Sequence, residues 1–242
     1  MLSLFRSAPV VRLSLNEVEV TTRKAALGAG FPLGLAEEAG ASAAWFAAAG
    51  FPFEKLMAAA LQRTFCEEPR VIRRGAVYAM AGNTSVCSAI RVVPSACDLV
   101  IASAGARHQI TVEAVVDVPA LAIAQAVLAS SASGVPLAIE IGSMLSAITG
   151  ENAPVLFGTV AELARFRSEL IRIRSVQKGD GSPRHAMDPV VLKRARASAL
   201  EEGVWAEDLY WKRIQSLAAR TLVPATAQSR EHGAGAGLID SD

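Results

Sequence analysis

The chain has 242 residues, with 24 Lys and Arg against 23 Asp and Glu, a formal net charge of +1, and 52% hydrophobic residues. That length suits one large domain that buries its core without covalent staples, and the near-zero charge removes the electrostatic case for nucleic acid or an anionic membrane as partner. Only 19% of residues are charged, so apolar surface is left over for a partner subunit and a homo-oligomer is expected.

The first residues carry one basic side chain, Arg6, and no long apolar run follows, so no export signal is read there. Ser14 and Glu17 have the spacing of a capping box and predict a helix from about Leu15 that stops by Gly28 or Gly30. "AGFPLGLAEEA" from Ala29 and "AGFPFEKLMAA" from Ala49 share punctuation: Gly to end one helix, Phe to pack, Pro to begin the next. Three N-terminal helices are therefore expected over 1–66.

Between Pro69 and Gly158 the pattern shifts to short apolar runs rich in β-branched residues: "AVYAM", "VCSAIRVV", "DLVIAS", "HQITVEAVVDV", "PLAIEI" and "VLFG". These predict a largely antiparallel sheet over 67–158, with one inserted helix near Ala120 to Ser130 and a hairpin turn at "ASAGAR". The uncharged run between Asp117 and Glu140 is broken by Pro119, Gln125, Gly134 and Pro136. It reads as a buried helix, a turn and a strand, not as a membrane span.

Thr159 and Glu162 form a second capping box and predict a helix to about Gln177. Asp188 and Pro189 predict an N-cap and first helical residue, with Gly203 closing that helix. A last helix is expected from about Trp205 to Arg220. The fold class is thus α+β in a single domain: helices, a central largely antiparallel sheet, a helical unit over 159–220, and a tail over 221–242 folded back on the sheet.

The candidate chemistry concentrates in that tail. Arg220 and Arg230 can each grip a carboxylate or phosphate through paired hydrogen bonds. Thr221, Thr226 and Ser229 offer hydroxyls, and Gly233, Gly235 and Gly237 let backbone N–H groups approach a ligand. Asp240 is the candidate acid or base. The glycine run lacks the flanking strand and helix of a dinucleotide fingerprint, and no motif names a cofactor. Cys66, Cys87 and Cys97 lack metal-ligand spacing, as do His108, His185 and His232, so no metal site is expected. The cysteines read as reduced, buried thiols of a cytoplasmic protein. Glu37 and Glu38 are adjacent and cannot face one another on a helix. "GNTSVCS" from Gly82 reads as a turn, and the arginines and lysines of the last helices read as solvated faces.

Two motifs together, "LSLNEVE" with "RKAALGAGFPLGLAEEAG" near the start and "RTLVPATAQSREHGAGAGLIDSD" at the end, resemble a family of bacterial proteins known only as a domain of unknown function. The family tail reads close to R-T-Y-V-P-A-T-E-x-S-R, then G-A-G-A-G-L, then D-N-D. This chain departs from it at Leu222, Ala227 and Ser241, and at the N-terminal motif Leu27 and Leu33 stand where a basic residue and an aromatic are expected. The resemblance implies an ordered, functional tail and brings no activity with it. The expected function is binding, with turnover as an extension, of a small anionic metabolite in a pocket lined by the tail. The alternative is a non-catalytic subunit whose tail is a docking arm.

Overall fold

A computed structural model describes residues 9–62, 69–81, 86–105, 109–150, 154–164, 166–177, 180 and 187–221. In chain order its elements are β1 (Val10–Leu13), α1 (Leu15–Gly28), α2 (Leu33–Ala48), α3 (Phe53–Gln62), β2 (Arg70–Arg74), β3 (Val77–Ala81), α4 (Ala89–Ser103), β4 (Thr111–Val116) and α5 (Leu121–Ser133). There follow β5 (Leu137–Ile141), β6 (Met144–Ile148), β7 (Val155–Leu156), α6 (Val160–Leu163), β8 (Glu169–Ser175), α7 (Pro189–Glu202), β9 (Val204–Glu207) and α8 (Asp208–Ala218), which ends in a 3-10 turn, Ala219–Thr221. The class is α+β, as expected.

The first three helices follow the sequence closely. Ser14 Oγ accepts the N–H of Glu17 and α1 begins at Leu15. At its end, the N–H of Gly30 donates to Leu27 O and that of Phe31 to Ala26 O, with Gly30 at φ 89°. The next boundary repeats the geometry: Gly50 N–H to Ala47 O and Phe51 N–H to Phe46 O. Both are Schellman closures, in which a left-handed glycine lets the following residue cap the helix. Phe31 and Phe51 are both buried, each burial contributing about 1.5–3 kcal/mol. The shared "AGFP" therefore encodes two equivalent corners.

The main sheet runs β2-β3-β4-β8-β5-β6-β7. Its pairings are antiparallel except for β3 with β4. Val112, Ala114, Val116, Ile171, Ile173, Ile139 and Ile141 are buried on one face, where α4 packs on β4 and β8 and α5 packs on β5. α2 in turn packs on α4 and α5, and α1, α3 and α8 pack around α2 and each other. Of the terminal helices, α2 alone rests on the pair that covers the sheet; α7 packs on α2, and α8 packs on α1 and α3. β1 and β9 pair antiparallel in a separate two-stranded ribbon, tying the two ends of the described chain together.

Four expectations for the middle and end of the chain are corrected. "VCSAIRVV" and "DLVIAS" do not form strands; both lie mostly in α4, so the sheet carries two inserted helices. α4 passes through Pro94, and its buried residues Ala89, Val92, Val93, Ala96, Cys97 and Val100 recur at helical spacing. "ASAGAR" accordingly ends a helix, with Ser103 its last residue and Gly105 at φ 84°, and is not a hairpin turn. The Thr159–Glu162 capping box is present in full but opens only the four-residue α6. The chain then becomes β8, the central strand, with Ile171, Ile173 and Ser175 buried alternately with half-exposed Leu170, Arg172 and Arg174. The last helix starts at Asp208 and not near Trp205, because Val204–Glu207 is taken up as a strand against β1. Asp188 and Pro189 open α7 and Gly203 closes it, as expected.

α1 and α8 touch backbone to backbone. A Cβ placed on Gly28 would lie 1.9 Å from the carbonyl oxygen of Leu217, and backbone cannot swing aside. Gly34 has open space around it. Gly28→Ala should therefore lower stability by on the order of 1–3 kcal/mol, while Gly34→Ala should leave it unchanged or raise it by up to about 1 kcal/mol. Urea midpoints of the two variants check this, and equal midpoints would contradict the close α1–α8 approach.

Candidate functional site

The start of α4 is assembled from three separate stretches of chain. β4 ends at Val116, and the next residue, Asp117, is 2% exposed. Its Oδ1 accepts the N–H of Ala89, the first residue of α4, at 2.9 Å, and the N–H of Val118 at 2.8 Å. The Asp117 N–H donates to Cys87 O at 3.1 Å, and the Cys87 N–H to Val115 O at 2.8 Å. Asp117 thus does the capping that an N-cap side chain normally does. Ser88 holds the N-cap position, and its side chain makes no cap bond. Ser88 is 1% exposed, and its Oγ has no hydrogen-bond partner among the described residues.

Arg91 lies one turn on. Its guanidinium carbon sits 5.1 Å from the centroid of the Phe31 ring, a cation–π placement. Its Nε is buried and also lacks a partner among the described residues. A cation in the first turn of a 15-residue helix is opposed by the helix dipole, and an unsatisfied buried donor costs roughly 1–3 kcal/mol. The Asp117 carboxylate at the same helix end offsets part of the repulsion. An incoming carboxylate or phosphate would offset more, taking hydrogen bonds from Arg91 and Ser88 together.

Of the candidate site residues read from the C-terminal segment, Arg220 and Thr221 are described. Both are in the exposed 3-10 turn after α8, and Thr221 Oγ1 donates to Ala218 O at 2.7 Å, a local bond of the helix end. A Cβ on Gly28 would come within 3.3 Å of Arg220 Cβ. Arg220 therefore lies beside the last turn of α1, whose Gly28 is three residues before Phe31. Thr226, Ser229, Arg230, Gly233, Gly235, Gly237 and Asp240 lie outside the described residues, as do Cys66, His108, His185 and His232. No metal-holding group of His, Cys, Asp and Glu occurs among the described residues.

Several other ionisable groups have structural accounts. Arg172 donates to Glu113 at 2.5 Å, and Arg174 to Asp180 at 2.6 and 2.9 Å and to Glu140 at 3.2 Å. These bonds hold both guanidiniums above their ordinary pKa and the Asp180 carboxyl below its own. Glu37 is exposed. Burial, then Asp98, pushes the neighbouring Glu38 carboxyl up, while Gln125 pulls it down. Cys87 and Cys97 are buried, and burial raises the Cys97 thiol well out of the reactive range. Burial likewise raises the Glu54 carboxyl. No described helix is long and apolar enough to cross a membrane.

Sequence reasoning passed over Arg91 and Asp117. A signal was present: Arg91 is a lone charge in an apolar run, "VCSAIRVVPSAC". Ser88 closes the stretch that was read as a turn.

Residues 13–88 match the model of a family described as "Protein of unknown function (DUF3726)". The match takes in both N-terminal motifs and the Phe31 corner and ends at Ser88. No curated protein matches the chain. Among solved structures, the chain is similar to a malate dehydrogenase from Pyrococcus horikoshii OT3, at TM-score 0.58 and 9% identity, over 91% of this chain and 99% of that one. It is also similar to a malate dehydrogenase from Entamoeba histolytica, at TM-score 0.59 and 9% identity, over 90% and 100% of the two chains. A dehydrogenase from Sinorhizobium meliloti gives TM-score 0.61 and 11% identity, over 87% and 100%. At these identities the likeness is one of fold.

Because Asp117 and not Ser88 caps α4, Asp117→Ala should cost on the order of 1–3 kcal/mol by leaving Ala89 N–H unsatisfied. Ser88→Ala should stay within about 0.5 kcal/mol of the parent. Urea denaturation of both variants tests the assignment, and a Ser88→Ala loss as large as that of Asp117→Ala would contradict it.

Proposed function

We propose that the protein binds a small carboxylate-bearing metabolite at the start of α4, with Arg91 as the charge clamp and Ser88 as a hydroxyl donor. The observation that carries this reading is the buried Nε of Arg91, beside the Phe31 ring and without a partner among the described residues. Support comes from the tail: its first residues, Arg220 and Thr221, start beside the helix that leads into Phe31. In this reading the segment beyond them closes the site, Arg230, Thr226, Ser229 and the glycine backbone add donors, and Asp240 serves as acid or base. The names of two fold relatives suggest the chemical class, since malate is a small dicarboxylate.

A second reading has its own observation. Trp205, 64% exposed, stands opposite Arg12 in the β1–β9 ribbon, and Val10 and Leu209 in β1 and α8 are exposed as well. Exposed apolar surface of this kind suits a subunit interface, and we propose a homo-oligomer through it. If the tail is instead a docking arm, this surface and the tail would serve assembly and not ligand binding.

Calorimetric titration with malate separates the two. Malate should bind the parent protein, and Arg91→Gln should weaken binding by on the order of 2–5 kcal/mol, as expected for a desolvated charge contact. Arg194→Gln, an exposed arginine on α7, should change nothing. A chain ending at Thr221 should keep its oligomeric state and lose malate-induced thermal stabilisation. Unchanged affinity in Arg91→Gln would overturn the site, and dissociation of the shortened chain would favour the docking arm.

A further inference from the structure

A second concavity is built by α1, α2, α5 and α7 and shares no element with the start of α4. Its volume is about 390 Å³, within the range of small-molecule sites. The floor is a run of alanines on α2, with Ala44 half-buried and Trp45 beside it. One wall is α7, whose hold on the body is thin: of its fourteen residues only Leu192 and Ala199 are buried. Leu200, at the groove, is 68% exposed.

The charges at the groove are not balanced. Lys193 and Arg196, three residues apart on α7, both line it, and Glu19 on α1 is the one acidic lining residue. Side chains three apart share a helix face, so the two cations act together. Neither has an ion pair or hydrogen bond among the described residues. A neutral apolar ligand would leave them idle, and a dicarboxylate would leave the alanine floor and Leu200 uncovered.

We propose that this groove binds an amphipathic organic anion, an unbranched acyl chain carrying one carboxylate, with the chain laid along the alanine floor against Trp45 and Leu200. The carboxylate meets Lys193 and Arg196. The proposal is independent of the malate reading, because the ligand class and the lining residues differ.

The test is calorimetric titration of the full chain with decanoate below its micelle-forming concentration, with decanol as the neutral counterpart. Ala44→Leu fills the floor from a half-buried position, and its circular dichroism and thermal midpoint show that it folds. Decanoate should bind the parent saturably and tighter than decanol, and Ala44→Leu should abolish binding. The double variant Lys193→Gln, Arg196→Gln changes only exposed side chains. It should weaken decanoate roughly three- to tenfold and leave decanol unchanged, as expected for two screened surface charges. The proposal is overturned by absence of saturable binding, by binding that Ala44→Leu does not alter, or by equal decanoate affinity in the double variant. A dimer that Ala44→Leu dissociates would assign the groove to a second copy of the chain and overturn it as well.

Discussion

One buried carboxylate fixes the relation of the sheet to the helices that cover it. Asp117 ends β4, caps α4 through Ala89, and holds Val118 at the approach to α5. Its own N–H returns to Cys87, two residues before α4 begins. A carboxylate enclosed at 2% exposure is tolerable only because N–H groups and a helix N-terminus surround it. Given that anchor, α4 must lie across β4 and β8, α5 must run beside it, and α2 finds its packing surface on the pair. The N-terminal helices then fall into place through the two Gly–Phe corners.

The same anchor explains why the start of α4 has spare polar capacity. With Asp117 capping the helix, the Ser88 hydroxyl has no partner among the described residues, and Arg91 is a cation where the helix dipole would prefer an anion. Several polar groups elsewhere are matched: Arg172 and Arg174 with Glu113, Glu140 and Asp180, and Gln125 with Ser42 and the Glu38 carbonyl at 2.6 and 3.0 Å. Conflict with local rules in an otherwise consistent structure points to function more than to poor design.

The sequence was most informative where a local rule acts alone. Ser14, the two "AGFP" corners and Asp188–Pro189 set helix ends by hydrogen bonds within a few residues, and the structure keeps each one. It misled where two rules competed. In α4, β-branched residues spoke for strands and Pro94 for a break, and the 3.6-residue recurrence from Ala89 to Val100 spoke for a helix; tertiary burial decided for the helix. In β8, the Thr159–Glu162 capping box promised a long helix, although "ELIRIRS" alternates with period two. A cap starts a helix without extending it. Of the candidate site, the sequence pointed to Arg220 and Thr221 at the edge and passed over Arg91, because a single arginine in an apolar run carries no motif. Asp117 was illegible for a different reason: its role depends on a contact with Ala89, 28 residues away, that only the folded topology creates.

The account turns on whether Arg91 is a ligand-facing cation or a buried structural one. The most direct measurement is the NMR resonance of the Arg91 Nε–H, assigned by its loss in Arg91→Gln and followed through a malate titration. Binding at the start of α4 predicts a saturable downfield shift and slowed exchange of that proton with solvent, as a carboxylate takes up the unused donor. A resonance that stays in place while malate reaches saturating concentrations would contradict the assignment of this site.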